Sequence, residues 1–173
     1  RAGVAADRID EVIRTHSSIE DPAEPKQITE PKGVLEFTDV CFKYPNAKED
    51  VLHNISFKAE PGKVTAIIGS TGSGKSTLVN LIPRFYDVTT GTITLDGEDI
   101  RNLSMKELRQ EVGFVPQKGV LFSGTIASNL RFGNKDATDE QIRTAAEIAQ
   151  AEDFIEEKDE KYDSYISQGG SNV

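Results

Sequence analysis

The sequence has one cysteine, Cys41, so no disulfide can form within the chain. In Val40-Cys41-Phe42 it reads as a small apolar strand residue, compatible with a reducing compartment. Long apolar runs are missing too. No stretch reaches the roughly 18 apolar residues that a helix needs to cross a bilayer. The pattern of a secretory signal peptide is also missing. Positive charge is in deficit, with 20 Lys and Arg against 29 Asp and Glu, a net charge of −9. That argues against nucleic acid or an anionic membrane surface as the main partner. It does not argue against a nucleotide, whose phosphates need only local donors. The two histidines, His16 and His53, have no Cys or His partners at metal-ligand spacing. The chain begins at Arg1 and its one methionine is Met105, which reads as a piece of a longer polypeptide or a processed form.

What is present suffices for a folded domain. The chain has 173 residues, 36% hydrophobic and 28% charged, enough for one domain with a real core. Residues 1–16 read as a short helix, with Val4, Ala5, Ile9, Val12 and Ile13 on one stripe. Residues 17–32 hold Pro22, Pro25 and Pro31 among charges and read as a linker. From Gly33 the pattern turns to strands. Val34, Glu36, Thr38 and Val40 alternate with Leu35, Phe37 and Asp39, and Val51–Phe57 forms a second run. Lys63–Ile68 and Val112–Pro116 predict two short buried strands. Gly91–Leu95 is a strand that ends in Asp96-Gly97, a hairpin signal. Ser104-x-x-Glu107 predicts a capped helix to about Gln110. Beyond Lys118 the signals are helical. They fall at Thr125–Leu130, at Thr138-x-x-Gln141 with Ile142, Ala145, Ala146 and Ala149 on one face, and at Ala151–Glu157. The order is antiparallel β, then α/β, then α.

The segment with the most chemistry is Gly69-Ser70-Thr71-Gly72-Ser73-Gly74-Lys75-Ser76-Thr77. It matches G-x-x-x-x-G-K-[ST], the phosphate-binding P-loop, between a predicted strand and a predicted helix at Leu78–Ile82. Glycines let the backbone turn tightly, so that successive N–H groups face one concavity at a helix N-terminus. In such loops the lysine, here Lys75, reaches the β- and γ-phosphates, and the hydroxyl of Ser76 binds Mg²⁺. Gly72-Ser73-Gly74-Lys75-Ser76-Thr77 lacks the third glycine of a dinucleotide fingerprint. Asn134-Lys135-Asp136-Ala137 fails the N-K-x-D pattern for guanine at its last position.

Further motifs stand in order around the loop: Phe42-Lys-Tyr44-Pro45 upstream, then Gly113-Phe-Val-Pro-Gln117, Leu121-Phe-Ser-Gly-Thr-Ile126 and Asn129-Leu-Arg-Phe-Gly133 downstream. Together with the P-loop they resemble the nucleotide-binding domain of ABC transporters, in particular exporters fused to their own membrane helices. The resemblance implies an α/β P-loop NTPase of the ABC type, with an antiparallel β subdomain and the start of a helical subdomain. It implies ATP and Mg²⁺ as ligands. Tyr44 would stack on adenine, a contact of about 1–3 kcal/mol for comparable base–aromatic pairs. Gln117 would approach Mg²⁺ or the attacking water. The P-loop residues Ser70 to Thr77 would hold the phosphates. Ser164–Gly170 stands where exporters carry a loop facing the coupling helices, with Gln168 at the place of a usual glutamate.

On that basis residues 1–16 are the tail of a preceding membrane-domain helix and 17–32 the linker. Residues 33–117 are the β subdomain and P-loop core, and 118–173 an incomplete helical subdomain. A second nucleotide-binding domain and the coupling helices of a membrane domain are the implied partners, at the cytoplasmic face of a membrane. P-loop ATPases complete their Mg²⁺ site with an acidic residue after an apolar strand. Asp96 follows an alternating strand and has the chemistry of a hairpin tip. No Walker B aspartate, catalytic glutamate or switch histidine is therefore read here. The sequence stops where the family's signature motif should begin. The isolated chain is expected to bind nucleotide, or dock a partner, without turnover of its own.

Overall fold

The computed structural model describes residues 8–10, 12–14 and 17–172. It divides into two compact units, Arg1–Phe114 and Val115–Val173. Of the expected N-terminal helix, residues 8–10 and 12–13 are helical; Val4, Ala5 and His16 lie outside the described residues.

Unit 1 is built on a four-stranded antiparallel sheet in the order β2-β1-β3-β4. The strands are β1 (Leu35–Phe42), β2 (Leu52–Ala59), β3 (Thr90–Leu95) and β4 (Glu98–Asp99). β1 lies between its neighbours, with Phe37 opposite Phe57 on one side and Ile93 on the other. The Phe37 and Phe57 rings stack with centroids 4.6 Å apart. Fully burying a side chain such as Phe37 contributes about 1.5–3 kcal/mol.

Strict alternation along β1 does not survive. Phe37, Val40 and Phe42 are buried, because the register shifts between Phe37 and Val40. Asp39 sits at φ 47° within this bulge, and its amide donates to Ser56 Oγ at 2.8 Å. Across from it, Gly91 has φ +81°, and a Cβ there would lie 2.4 Å from the Asp39 carbonyl oxygen. Only glycine allows β3 to approach the bulge so closely. Asp96 and Gly97 both have positive φ, and they turn the chain from β3 into β4 as the Asp-Gly signal requires.

Two helices close the core of unit 1. α1 (Lys75–Leu81) buries Thr77, Leu78 and Leu81, and α2 (Met105–Glu111) buries Leu108. Ser104 caps α2 by accepting from the Glu107 amide at 3.2 Å. The Glu107 carboxylate does not close the expected capping box. It accepts instead from the amide of Ile28 at 3.1 Å. Behind α1, the buried guanidinium of Arg84 grips Asp87 through Nε at 2.7 Å and Nη2 at 3.1 Å. Burial pushes the Asp99 carboxyl up, but hydrogen bonds and charge from Arg101 outweigh it and hold the group below its ordinary value.

Residues 17–32 carry little regular structure, yet polar contacts pin them to unit 1. Asp21 accepts from the Met105 amide at 2.7 Å. Lys26 donates its amide to the Asn102 carbonyl at 2.8 Å and its ammonium to Glu98 at 3.0 Å. The Asp96 carboxylate accepts from the amides of Lys32, Gly33 and Val34 at 2.8–3.1 Å. Burial alone would raise the Asp96 pKa. The amides of Val34, Gly33 and Lys32, together with the Lys32 charge, reverse the shift and leave it lowered. The hairpin-tip reading of Asp96 therefore stands.

The two buried strands expected around the P-loop are not found. Residues 63–68 form no strand, and Val64 and Ile68 are 98% and 92% exposed. Residues 112–116 form none either, and Val115 is 93% exposed. The physical reason is shared. Among the described residues no neighbouring strand pairs with either segment, and a strand exists only through the ladder its neighbour completes.

Unit 2 has its own small core of Ile126, Ala127, Ile142, Ala146, Ile155, Tyr162 and Ile166. Its elements are β5 (Gly124–Thr125), α3 (Ile126–Leu130), α4 (Asp139–Ile148), α5 (Glu152–Glu156) and β6 (Tyr165–Ile166), with β5 and β6 paired antiparallel. Reciprocal caps start two of the helices, Thr125 with Ser128 at α3 and Thr138 with Gln141 at α4. On α4 only Ile142 and Ala146 are buried; Ala145 and Ala149, expected on the same face, are exposed. Among the described residues no helix is long and apolar enough to cross a membrane.

Candidate functional site

The P-loop residues all lie in unit 1: Gly69–Gly74 join the unpaired segment 63–68 to α1, and Lys75, Ser76 and Thr77 form the first turn of α1. Gly74 caps α1 with φ +90°. A Cβ at this position would lie 2.8 Å from Leu52 Cδ2 and 3.3 Å from the Val51 carbonyl oxygen. The end of the loop is thus pressed against the start of β2, and the antiparallel sheet sets its height. Gly74 offers no side-chain cap to the helix. The first amides of a helix have no partner inside it, so those of α1 remain available to an anion at the loop.

Within the loop the Ser73 amide donates to the Ser70 carbonyl at 3.2 Å, closing a tight turn over Thr71 and Gly72. Lys75 folds back over this turn. Its ammonium donates to the carbonyls of Gly69 at 2.9 Å and Ser70 at 2.7 Å, with Ser73 Oγ at 3.5 Å. The positive charge therefore sits inside the ring of backbone rather than at the end of a free side chain. Ser70, Thr71, Gly72, Ser73 and Ser76 are exposed, while Thr77 is buried.

Tyr44 follows β1 and is half-buried. Its hydroxyl and that of Thr77 are 2.9 Å apart, and either can donate. Phe42 and Tyr86 meet its ring nearly at right angles, with centroids 4.9 and 5.1 Å away. The structure thus brings Tyr44 to the P-loop helix. Gln117 is exposed and belongs to unit 2, so the geometry of unit 1 does not include it. Gln168 is exposed in a short turn where the Gly169 amide donates to the Leu121 carbonyl at 3.0 Å.

Sequence reasoning missed the aromatic setting of Tyr44 and its tie to Thr77. One signal was available: Phe42 and Tyr44 are two apart, which places both on one face of an extended chain. Nothing local announced Tyr86.

These residues fit a Mg²⁺-bound nucleoside triphosphate: an uncapped helix start, a loop of exposed hydroxyls and glycine, and an ammonium held within the loop. Among the described residues no cluster of three His, Cys, Asp or Glu side chains is placed to hold a metal. Mg²⁺ in such sites uses one or two protein oxygens beside phosphate and water, a demand that the Ser76 hydroxyl suits.

The sequence profile of the ABC transporter family matches residues 52–172, from the start of β2 nearly to the end. The chain belongs to the ABC transporter family. An uncharacterized ABC transporter ATP-binding protein of Mycobacterium tuberculosis is 43% identical over 99% of this chain. A putative multidrug export ATP-binding/permease protein of Bacillus subtilis is 42% identical over 95% of it. A β-(1→2)glucan export ATP-binding/permease protein of Rhizobium johnstonii is 39% identical over 98%. This ABC transporter chain spans 28–30% of the length of these relatives. Among solved structures, a bacterial Atm1-family ABC exporter with ATP bound superposes with a TM-score of 0.90 at 32% identity, covering 98% of this chain and 30% of the exporter chain. The fold is that of the ABC-type P-loop ATPase, and the family is one that binds ATP.

Proposed function

We propose that this chain is part of the motor domain of an ABC exporter, which couples ATP binding and hydrolysis to substrate transport across a membrane. The observation that carries the reading is the loop Gly69–Thr77, with the Lys75 ammonium drawn onto its carbonyls and the first amides of α1 left uncapped. Relatives named as export proteins, and an exporter solved with ATP bound, support it.

In this reading Lys75 neutralises the β- and γ-phosphates, and backbone from Ser70 to Thr77 wraps them. The Ser76 hydroxyl holds Mg²⁺, and Tyr44 offers its ring to adenine. Bound ATP supplies the phosphoryl bond whose cleavage drives the cycle. By the family resemblance, Gln117 would approach the metal or orient the attacking water. We assign turnover to the intact protein, because no residue of this chain reads as the second acidic metal ligand, the catalytic glutamate or the switch histidine.

The proposed partners are a second nucleotide-binding domain and the coupling helices of a membrane domain, at the cytoplasmic face of a membrane. Unit 2 offers an apolar cavity of about 240 Å³, room for one or two apolar side chains, lined by Leu121, Ile126, Phe154 and Ile166 among others. Net charge of −9 speaks against nucleic acid. The domain boundaries proposed are those of the sequence reading, 33–117 and 118–173.

The test is calorimetric titration with ATP and Mg²⁺. The unaltered protein should bind, and Lys75→Ala should weaken binding by about tenfold to a hundredfold, the range for hydrogen bonds to a charged group. Unchanged affinity in Lys75→Ala would show that the loop is not the phosphate site.

A further inference from the structure

The P-loop reading leaves one residue with an unexplained arrangement. Thr77 is the third residue of α1, yet it is only 7% exposed, whereas Ser76 beside it is exposed. A buried hydroxyl needs a partner. A helical threonine often bonds back to a carbonyl three or four residues earlier, but the contact found for Thr77 Oγ1 is the phenol of Tyr44, at 2.9 Å. The two residues are 33 apart in sequence, so this bond joins the loop after β1 to the first turn of the P-loop helix.

The rest of the Tyr44 ring is also held. Phe42 meets it at 4.9 Å and 82°, and Tyr86 at 5.1 Å and 89°. Both are perpendicular contacts of the favourable edge-to-face kind. Phe42 is buried in the sheet core, and Tyr86 follows α1. Two aromatic contacts fix the plane of the ring, and the hydroxyl bond fixes its far end. Below Tyr44, the Ala47 amide donates to the Tyr44 carbonyl at 3.0 Å and the Val51 amide to the Phe42 carbonyl at 2.7 Å. The backbone that carries the ring is thereby closed into a turn.

We propose that Thr77 is a positioning residue. Its side chain ties the Tyr44 ring to the helix that opens the phosphate loop, and so sets one fixed spacing between base and triphosphate recognition. This rests on the reading of the site as an ATP site with Tyr44 as its base platform. A ring already locked in place loses little freedom when the base arrives, and affinity rises by the ordering cost avoided. Phosphate binding alone gains nothing from the tie. The consequence is specific: the Thr77 hydroxyl serves the base end of the ligand from a position inside the phosphate motif.

The experiment titrates the protein separately with ATP and with inorganic triphosphate, each with Mg²⁺. The proteins compared are the unaltered one, Thr77→Val, Thr77→Ser, Tyr44→Phe and the Thr77→Val/Tyr44→Phe double variant. Losing one net hydrogen bond should weaken ATP binding about threefold to tenfold in Thr77→Val, with a clearly smaller loss for inorganic triphosphate. Thr77→Ser should restore ATP affinity. Tyr44→Phe should reproduce the Thr77→Val loss, and the double variant should add nothing further, the signature of two residues acting as one unit. Tyr44→Phe removes a single atom from a half-buried side chain, so it carries the test even if Thr77→Val does not fold. Equal losses for ATP and triphosphate in Thr77→Val, with Tyr44→Phe unaffected, would place the Thr77 hydroxyl on phosphate and overturn the proposal. Additive losses, or none, would overturn it too. Failure of the unaltered protein to bind ATP would overturn the site reading itself, a result distinct from all of these.

Discussion

Two segments of unit 1 have sequences suited to a strand and end differently. Thr90–Leu95 pairs with β1 on one edge and β4 on the other, and buries Ile93 and Leu95. Residues 63–68 are the more apolar of the two, yet they stay unpaired with Val64 and Ile68 in solvent. Intrinsic preference is not what separates them. β3 has neighbours in register and a glycine that lets it close on the β1 bulge, whereas 63–68 has no strand beside it among the described residues. Sheet preference is mostly a measure of fit against neighbours, and this pair makes the point within one chain.

The sharpest way to break the comparison is to empty a position on each side of it. Phe37→Ala, within β1 and opposite Ile93, should cost about 3–5 kcal/mol in urea unfolding of this chain. Val64→Ala should change stability by no more than about 0.5 kcal/mol, as for an exposed site. A Val64→Ala loss near that of Phe37→Ala would mean that residues 63–68 are packed after all. Next in size is Gly91→Ala. Its Cβ would meet the Asp39 backbone, and the position has positive φ. The expected cost is about 1–3 kcal/mol by urea midpoint; a neutral result would mean that β3 does not need the close approach.

The smallest effect sharpens the paired side through pH. Asp96 has its pKa lowered in the folded chain, so its contribution is complete above the unfolded aspartate value, about 3.9. That contribution is lost as pH falls through the lower folded value. Asp96→Asn should therefore cost on the order of 1 kcal/mol at neutral pH and flatten the acid limb of a stability–pH curve. An acid limb unchanged by the substitution would assign the dependence to other carboxylates, Asp99 first.

Much of the site was legible in the sequence because its rules are local. The P-loop, the Asp96-Gly97 turn and the caps at Ser104 and Thr138 each lie within a few residues, and each formed as its residue types require. What stayed hidden depends on distant partners. The β1 bulge needs Gly91 opposite it. Glu107 leaves its own capping box for Ile28, 79 residues away. Tyr44 meets Thr77 and Tyr86 only after the sheet and α1 have packed. The two missing strands fail for the same cause, since an apolar run records its wish for a neighbour but not whether one is there.

The segment before β1 has one more consequence. A free flexible linker of such length would let its ends wander over roughly 20 Å. Here Asp21, Lys26, Ile28 and Lys32–Val34 are each fastened to unit 1. The longest stretch between fastenings runs only from Asp21 to Lys26. The fastenings also differ in kind along the segment: Asp21 and Lys26 reach outward with their side chains, whereas Glu107 and Asp96 reach back to hold the amides of Ile28 and Lys32–Val34. The path of this segment is thus set by several separate anchors spread from α2 to the β3–β4 tip, so removing any one of them leaves the others in place.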